Sequence, residues 1–117
     1  MLSRSVTASV LILLTSFSFG CNFTVARVYN ARGLAHYQKR EFDKAMACFD
    51  QAIRFNPQFA EAYFNLSGIY AYRNKNEEAR ENLYRAVAIY KKQNRILEAG
   101  QAIKRTLTNL TFRRKAG

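Results

Sequence analysis

Few residues in this 117-residue chain have the type and spacing that catalysis requires. The single histidine, His36, has no sequence partner that would suggest a catalytic triad or a metal site, so we expect a half-buried structural residue. Cys48 lies beside Phe49 in an apolar helical pattern, which is typical of a small packing residue. The sequence has no phosphate-binding glycine loop and no metal-ligand spacing. We therefore predict a non-enzymatic protein without catalytic residues, metal or cofactor.

Composition favours one folded domain with a basic surface. Hydrophobic residues make up 49% of the chain and aromatic residues 14%, enough to bury a core. A formal net charge of +11 suggests an anionic partner or surface. One proline and five glycines fit a helical protein with short turns, and two cysteines are too few for a disulfide framework.

An internal repeat organises the chain from Ala26 to Lys91, and its second copy begins at Ala60. Aligning the two copies pairs residues of similar type, namely Ala26 with Ala60, Tyr29 with Tyr63, Ala45 with Ala79, Phe49 with Leu83, Ala52 with Ala86 and Ile53 with Val87. A fixed period of this length is typical of stacked helical repeats.

These residues resemble the tetratricopeptide repeat (TPR) family, whose pattern is an aromatic residue, Leu-Gly, Tyr, then Ala-x3-Phe, Ala and Pro. Residues 26–59 supply Tyr29, Gly33, Ala45, Phe49, Ala52 and Pro57, and residues 60–93 supply Tyr63, Leu66, Ser67, Tyr70, Ala79, Leu83 and Ala86. Arg32, His36 and Lys91 depart from the family's Leu, Tyr and Pro. The resemblance implies an all-α fold, an α-α superhelix of two helical hairpins followed by a capping helix.

The hairpin helices can be placed from local signals. We expect helices over 26–38, 42–55 and 59–72, and a fourth from an N-cap at Asn76 to about Lys91. Asn56-Pro57 ends the second helix, because the residue before proline disfavours the helical region. We expect Gly33 to face Ala45 and Ser67 to face Ala79, so that the helix backbones can approach closely.

The C-terminal region, residues 94–111, is predicted to form the capping helix. Its apolar stripe is expected to face the last repeat and comprises Ile96, Gly100, Ile103, Leu107 and Leu110. Three of these, Ile96, Gly100 and Ile103, match the aromatic, Gly and Tyr positions of a third repeat if the register slips by one residue. The opposite face, expected to be in water, carries Arg95, Glu98, Lys104 and Arg105.

Basic residues dominate the C-terminal third, including the basic tail over 112–117. From Lys91 onward there are eight Lys or Arg and one acidic residue, Glu98. Three interpretations remain open: a solvated helix face, a contact with an anionic membrane, or nucleic-acid binding. Nucleic acid is the least expected partner, because a chain targeted to a membrane would rarely meet it.

Residues 1–21 are predicted to be a signal peptide or membrane anchor. Arg4 precedes the apolar run Val10–Leu14, and in Ser18-Phe19-Gly20 the small residues Ser18 and Gly20 stand where a signal peptidase reads them. Gly20-Cys21 also resembles the end of a bacterial lipoprotein signal, in which Cys21 would be lipidated. The 22 uncharged residues between Arg4 and Arg27 could instead form an anchor of roughly 33 Å, or a helix that packs on the first hairpin. We expect membrane association or export, in a bacterial-type envelope or an organelle membrane.

The resemblance implies a concave groove, lined by the first helix of each hairpin, that holds a peptide segment of another protein. The positions carried over are Arg27, Asn30, Leu34, Tyr37, Glu61, Phe64, Asn65, Gly68 and Tyr72. Asn65 matches the asparagine of carboxylate-clamp TPR proteins, but Asn30 and Leu34 replace other clamp residues, so we do not predict that ligand. Phe64 and Tyr72 could instead pack against the N-terminal segment or the capping helix.

The sequence therefore predicts a membrane-targeted TPR adaptor or assembly factor that binds a partner peptide. The alternative is an accessory protein that binds nucleic acid or an anionic membrane through its basic C-terminal helix.

Overall fold

The computed structural model describes residues 4–116. Its helices are α1 (Arg4–Gln38), α2 (Phe42–Phe55), α3 (Ala60–Tyr72), α4 (Asn76–Lys92) and α5 (Ile96–Ala116). This arrangement confirms the predicted all-α fold of two hairpins, α1–α2 and α3–α4, with α5 packed on α4. Residues 1–3 of the predicted targeting segment and Gly117 of the predicted tail lie outside the described residues. So do the side chains of residues 4–19, 110, 112–114 and 116.

Helix α1 is longer than predicted. We expected a helix from Ala26, but α1 begins at Arg4 and continues for 35 residues without a break. The segment before Ala26 contains no proline and one glycine, so nothing in it interrupts a helix. Within this segment the ring of Phe23 packs edge-on against Phe59, with 6.0 Å between centroids. Within the described chain, none of the helices has the length and hydropathy needed to cross a lipid bilayer.

Three similar turns separate helices. Each has a non-glycine residue with positive φ: Arg40 (60°), Asn74 (59°) and Asn94 (58°). The next residue donates its N–H to a carbonyl five residues earlier, in Glu41 to His36, Lys75 to Tyr70 and Arg95 to Tyr90. This is the Schellman arrangement, which satisfies carbonyls at a helix end. It places Lys75 at the N-cap of α4, without a side-chain cap bond, so the prediction of Asn76 as N-cap was wrong.

Among the side chains that the structure describes, two core clusters share α3. The first joins α1, α2 and α3 through Ala26, Ala45, Phe49, Ala52, Phe59, Ala62, Leu66 and Ile69. The second joins α3, α4 and α5 through Ala60, Tyr63, Ala86, Ile89, Tyr90, Ala99 and Ala102. Since each helix packs on its neighbours in sequence, stability is a sum of nearest-neighbour contacts, as in other stacked repeats.

The close approach of α1 and α2 depends on Gly33, but its nearest partner differs from the one we expected. A Cβ added at Gly33 would lie 2.6 Å from Cε1 of Phe49, whereas we expected Ala45 to be nearest. Phe49 and Ala45 are both fully buried. In the second hairpin Ser67 is buried and its hydroxyl donates to the carbonyl of Phe64 at 2.7 Å, while Ala79 is half-buried. Gly33 therefore makes room for an aromatic ring.

Helix α5 packs through a different face from the one predicted. Of its described side chains, those of Ala99 and Ala102 are buried, whereas Ile96, Ile103 and Leu107 of the predicted stripe are 60%, 41% and 58% exposed. The prediction that the stripe faces the last repeat was therefore wrong. The reason is geometric. Leu66 and Ile69 of α3 pack on α2, and Ala99 and Ala102, which have the same spacing on α5, pack in the same way on α4. Small alanines let α5 lie close to α4.

Candidate functional site

A concave groove crosses α1, α3 and α5 and encloses about 800 Å³. Six of the predicted groove residues line it: Leu34, Tyr37, Phe64, Asn65, Gly68 and Tyr72. The other lining residues are Phe49, Ser67, Ala71, Lys104, Arg105, Thr106, Thr108 and Asn109. The first helices of both hairpins therefore form one wall, and α5 forms the opposite wall.

An aromatic row lies at one side of this groove. The ring of Tyr37 meets Phe42 edge-on at 5.6 Å, and Phe42 lies 4.8 Å from the ring of Tyr72. Tyr37 and Tyr72 remain 41% and 49% exposed, so both present ring surface to the groove. A partly exposed, pre-packed aromatic surface can anchor a partner side chain at low entropic cost.

Phe64 and Tyr72 each combine a packing role with a position in the groove. Half-buried Phe64 packs on the second core cluster, to which α5 contributes Ala99 and Ala102. Tyr72 packs on Phe42 as described above. The alternative that these rings pack against the N-terminal segment or the capping helix therefore fits Phe64 in part, whereas the ring contact of Tyr72 is with Phe42 of α2. Both residues also line the groove.

The polar residues of the groove are held by their neighbours. The Asn65 amide donates to the side-chain oxygen of Asn30 at 2.9 Å, which orients Asn65 within the groove. Asn30 is half-buried and supports Asn65 without lining the groove itself. Arg27 is exposed on α1 and, like Asn30, lies outside the lining. The oriented Asn65 side chain can bond a peptide backbone.

Glu61 is used structurally. Its carboxylate lies 2.9 Å from Arg95, which also binds Glu98 at 3.1 Å and lies 4.9 Å from the centre of the Tyr90 ring. Burial by itself lowers the pKa of Arg95, but hydrogen bonds to the two glutamates outweigh this and leave it raised. Burial, with the charge of Glu61 added, raises the pKa of Tyr90 to about 12. This cluster joins α3, α4 and α5 and so positions α5, the opposite wall of the groove.

Lys104 and Arg105 are groove residues that the sequence interpretation missed. We expected both to face water on the outer side of the capping helix, yet both are exposed within the groove lining. The register offered a signal, because the offset that relates Ala99 to Leu66 also relates Arg105 to Tyr72. With Glu61 paired to Arg95, these two cations determine the charge of the groove wall.

The remaining reactive side chains have structural surroundings. His36 Nδ1 lies 2.6 Å from Glu41, whose other oxygen accepts from Lys44 at 3.0 Å. The hydrogen bond with His36, followed by that with Lys44, lowers the pKa of the Glu41 carboxyl. Cys21 is exposed, Cys48 is half-buried, and both are free thiols. In the described part of the chain, no group of His, Cys, Asp and Glu side chains is arranged to hold a metal ion.

Comparison with known proteins identifies the repeat. Two family models, both described as tetratricopeptide repeat, match residues 26–59 and 48–81. An uncharacterized protein of Methanocaldococcus jannaschii is 33% identical over 70 residues, which cover 60% of this chain and 81% of that protein.

Two larger proteins match a shorter stretch. The peroxisomal targeting signal receptor of Saccharomyces cerevisiae is 37% identical over 57 residues, covering 49% of this chain and 9% of the receptor. A probable UDP-N-acetylglucosamine–peptide N-acetylglucosaminyltransferase of Arabidopsis thaliana is 37% identical over 57 residues, covering 49% of this chain and 6% of the transferase. The chain therefore spans a small part of these two proteins.

Proposed function

This chain belongs to the tetratricopeptide repeat family and is a protein–protein interaction module, and we propose that it binds a peptide segment of another protein in the groove between α1, α3 and α5. The observation that carries the proposal is the lining of this groove, where an aromatic row faces two cations. The role proposed is that of a non-enzymatic adaptor or assembly factor.

The groove chemistry indicates the kind of peptide. Tyr37 and Tyr72 offer ring surface to an apolar side chain, while Lys104 and Arg105 on the opposite wall favour a carboxylate. Asn65 can bond the peptide backbone between them. We therefore propose an extended segment that carries both acidic and large apolar residues. One relative supports a peptide partner by its name, which describes a receptor for a targeting signal.

We also propose that the N-terminal segment attaches the module to a membrane, by an anchor or by a lipid on Cys21, or exports it. The arrangement that supports this is the long α1 helix, which begins at Arg4, whereas its partner helix α2 ends at Phe55 opposite Tyr29. Cys21 is exposed and therefore open to modification.

Mass spectrometry of the mature N-terminus, combined with cell fractionation, tests the membrane proposal. A trimmed chain, a lipidated Cys21, or an intact Met1 in the membrane fraction would support it. An intact Met1 confined to the soluble fraction would overturn it.

Groove binding can be tested with two matched glycine substitutions. Displayed random peptides are selected on the full chain, and the Kd of the best peptide is measured by fluorescence anisotropy. A Cβ at Gly68 or at Gly20 meets nothing within 4 Å, so Gly68→Leu and Gly20→Leu should both fold, while only Gly68 lines the groove. We expect Gly68→Leu to weaken binding by about tenfold or more, and Gly20→Leu to leave it unchanged.

Equal affinity for Gly68→Leu and the unsubstituted chain would contradict the groove assignment. Salt titration addresses the nucleic-acid alternative: affinity for a single-stranded RNA probe should fall steeply with salt if phosphate contacts dominate. RNA binding that exceeds peptide binding at physiological salt, and that is lost on Arg105→Gln, would favour that alternative.

A further inference from the structure

One face of α5 is apolar and uncovered. Ile96, Gly100, Ile103 and Leu107 follow one another at helical spacing, and we call them the α5 stripe. Its three large side chains are 60%, 41% and 58% exposed, and a Cβ added at Gly100 would meet nothing within 4 Å. The stripe is distinct from the groove, since none of its residues lines it.

The repeat register shows which faces of α1 and α3 are equivalent to the α5 stripe. Ala99 and Ala102 take the places on α5 that Leu66 and Ile69 take on α3. The same offset relates Ile96, Gly100 and Ile103 to Tyr63, Ser67 and Tyr70.

On α3 the corresponding face is covered. Tyr63 is 8% exposed and Ser67 is 5% exposed, and Tyr63 lies in one core cluster with Ala86 and Ile89 of α4. On α1 the equivalent Gly33 lies directly under the ring of Phe49 of α2. In both hairpins, then, a helix packs on the face that α5 leaves open.

We propose that the α5 stripe binds an amphipathic helix of a partner protein, antiparallel to α5, with a large apolar side chain over Gly100 and acidic residues in its N-terminal half. The antiparallel orientation follows from the way in which α2 lies on α1 and α4 on α3. The large side chain follows from Phe49, whose ring occupies the space above Gly33.

The charges near the α5 stripe indicate which kind of partner helix would bind there. From Lys91 onward the chain has eight basic residues and one acidic residue, Glu98, which is already paired with Arg95. Exposed Lys104 directly follows Ile103 of the stripe, and exposed Lys115 lies about three turns further along the same side of α5. Two copies of this face would bring like charges together in a chain of net charge +11, which disfavours self-association. An antiparallel partner helix with acidic residues near its N-terminus would complement these cations and its own helix dipole.

The chain itself provides a probe. Helix α4, residues Asn76–Lys92, covers the equivalent face of α3, begins with acidic Glu77 and Glu78, and has Leu83 at the position of Phe49. A fluorescein-labelled peptide of this sequence is titrated with the full chain. Because the probe could also displace the chain's own α4, the substituted variants decide where it binds. A second peptide with Glu77, Glu78 and Glu81 replaced by lysine tests the role of charge.

The deciding variants are Gly100→Leu, which obstructs close approach at the stripe, and Gly68→Leu, which obstructs the groove; circular dichroism checks that both fold. We expect the α4 peptide to bind at micromolar Kd, to weaken about tenfold or more with Gly100→Leu, and to be unaffected by Gly68→Leu. The groove peptide should show the opposite response, so that the two proposals fail separately. The lysine-substituted peptide should bind about tenfold more weakly at low salt.

Several results would overturn the proposal. One is the absence of α4-peptide binding, and another is binding that Gly100→Leu does not alter. If the lysine-substituted peptide bound as tightly as the α4 peptide, the proposal that the partner helix carries acidic residues would be wrong. A dimer in analytical ultracentrifugation that Gly100→Leu converts to a monomer would assign the stripe to a second copy of this chain instead.

Discussion

Replacing Gly33 with alanine probes the close approach of the Phe49 ring on α2 to the backbone of α1. The new Cβ would lie 2.6 Å from Cε1 and 2.8 Å from Cδ1 of Phe49, whereas ordinary contact begins near 3.4 Å. Phe49 is fully buried, so its ring cannot move into solvent. Overpacking of this kind typically costs about 1–3 kcal/mol, and replacing a glycine within a helix returns up to about 1 kcal/mol. The net loss of stability is therefore about 0–2 kcal/mol.

The matched control is Gly68→Ala, which has the same propensity gain without the contact, because a Cβ at Gly68 meets nothing within 4 Å. Relative to this control, Gly33→Ala should lower the free energy of unfolding, measured by urea titration, by about 1–3 kcal/mol. Tm should fall by roughly 4–8 °C for each kcal/mol lost. Adding Phe49→Leu to Gly33→Ala should couple favourably in a double-mutant cycle, because the smaller side chain relieves the conflict. A Gly33→Ala variant as stable as Gly68→Ala would refute the packing argument.

Three further predictions concern pH and the attachment of α5. Folding raises the pKa of Tyr90 from 10.0 to about 12, so the contribution of this residue to stability is complete below pH 10 and is lost as the pH rises from 10 to about 12. Tyr90→Phe should remove that loss in urea titrations at high pH, whereas Tyr84→Phe, at an exposed site, should not. Folding lowers the pKa of Glu41 from 4.5, so the contribution of Glu41 to stability is present above pH 4.5 and is lost as the pH falls through the lowered pKa. Glu41→Gln should therefore reduce the loss of stability at acidic pH, and an unchanged loss would contradict this. Arg95→Gln breaks the contacts that join α5 to α3 and α4, so hydrogen exchange should accelerate in α5 but not in α2, and uniform exchange would contradict the assignment.

The two hairpins could be predicted because their signals are local. Ala45, Phe49 and Ala52 lie at the spacing of one helix face, and all three are buried there. Asn56-Pro57 ends α2 where the proline rule places the end. The end of α3 at Tyr72 was also predicted, but the N-cap of α4 was assigned one residue too late, because the positive φ of Asn74 cannot be recognised from residue type alone.

The groove was predicted in part for a related reason. Its residues on α1 and α3 follow from the repeat register, but Lys104 and Arg105 depend on how α5 is rotated about its own axis. An amphipathic pattern shows that a helix has an apolar face, and it does not show which neighbour covers that face. On α5 we assigned the packing face to the larger apolar side chains, but Ala99 and Ala102 make the contact with α4.

The sequence by itself determined the helical hairpins and the register between their two copies, because periodicity and turn chemistry are properties of neighbouring residues. Only the tertiary structure decided that Phe49 occupies the space at Gly33, that Arg95 binds Glu61, and that α5 turns its stripe away from α4. These contacts join residues distant in the chain, and their selection depends on which close-packed arrangement leaves room for each side chain.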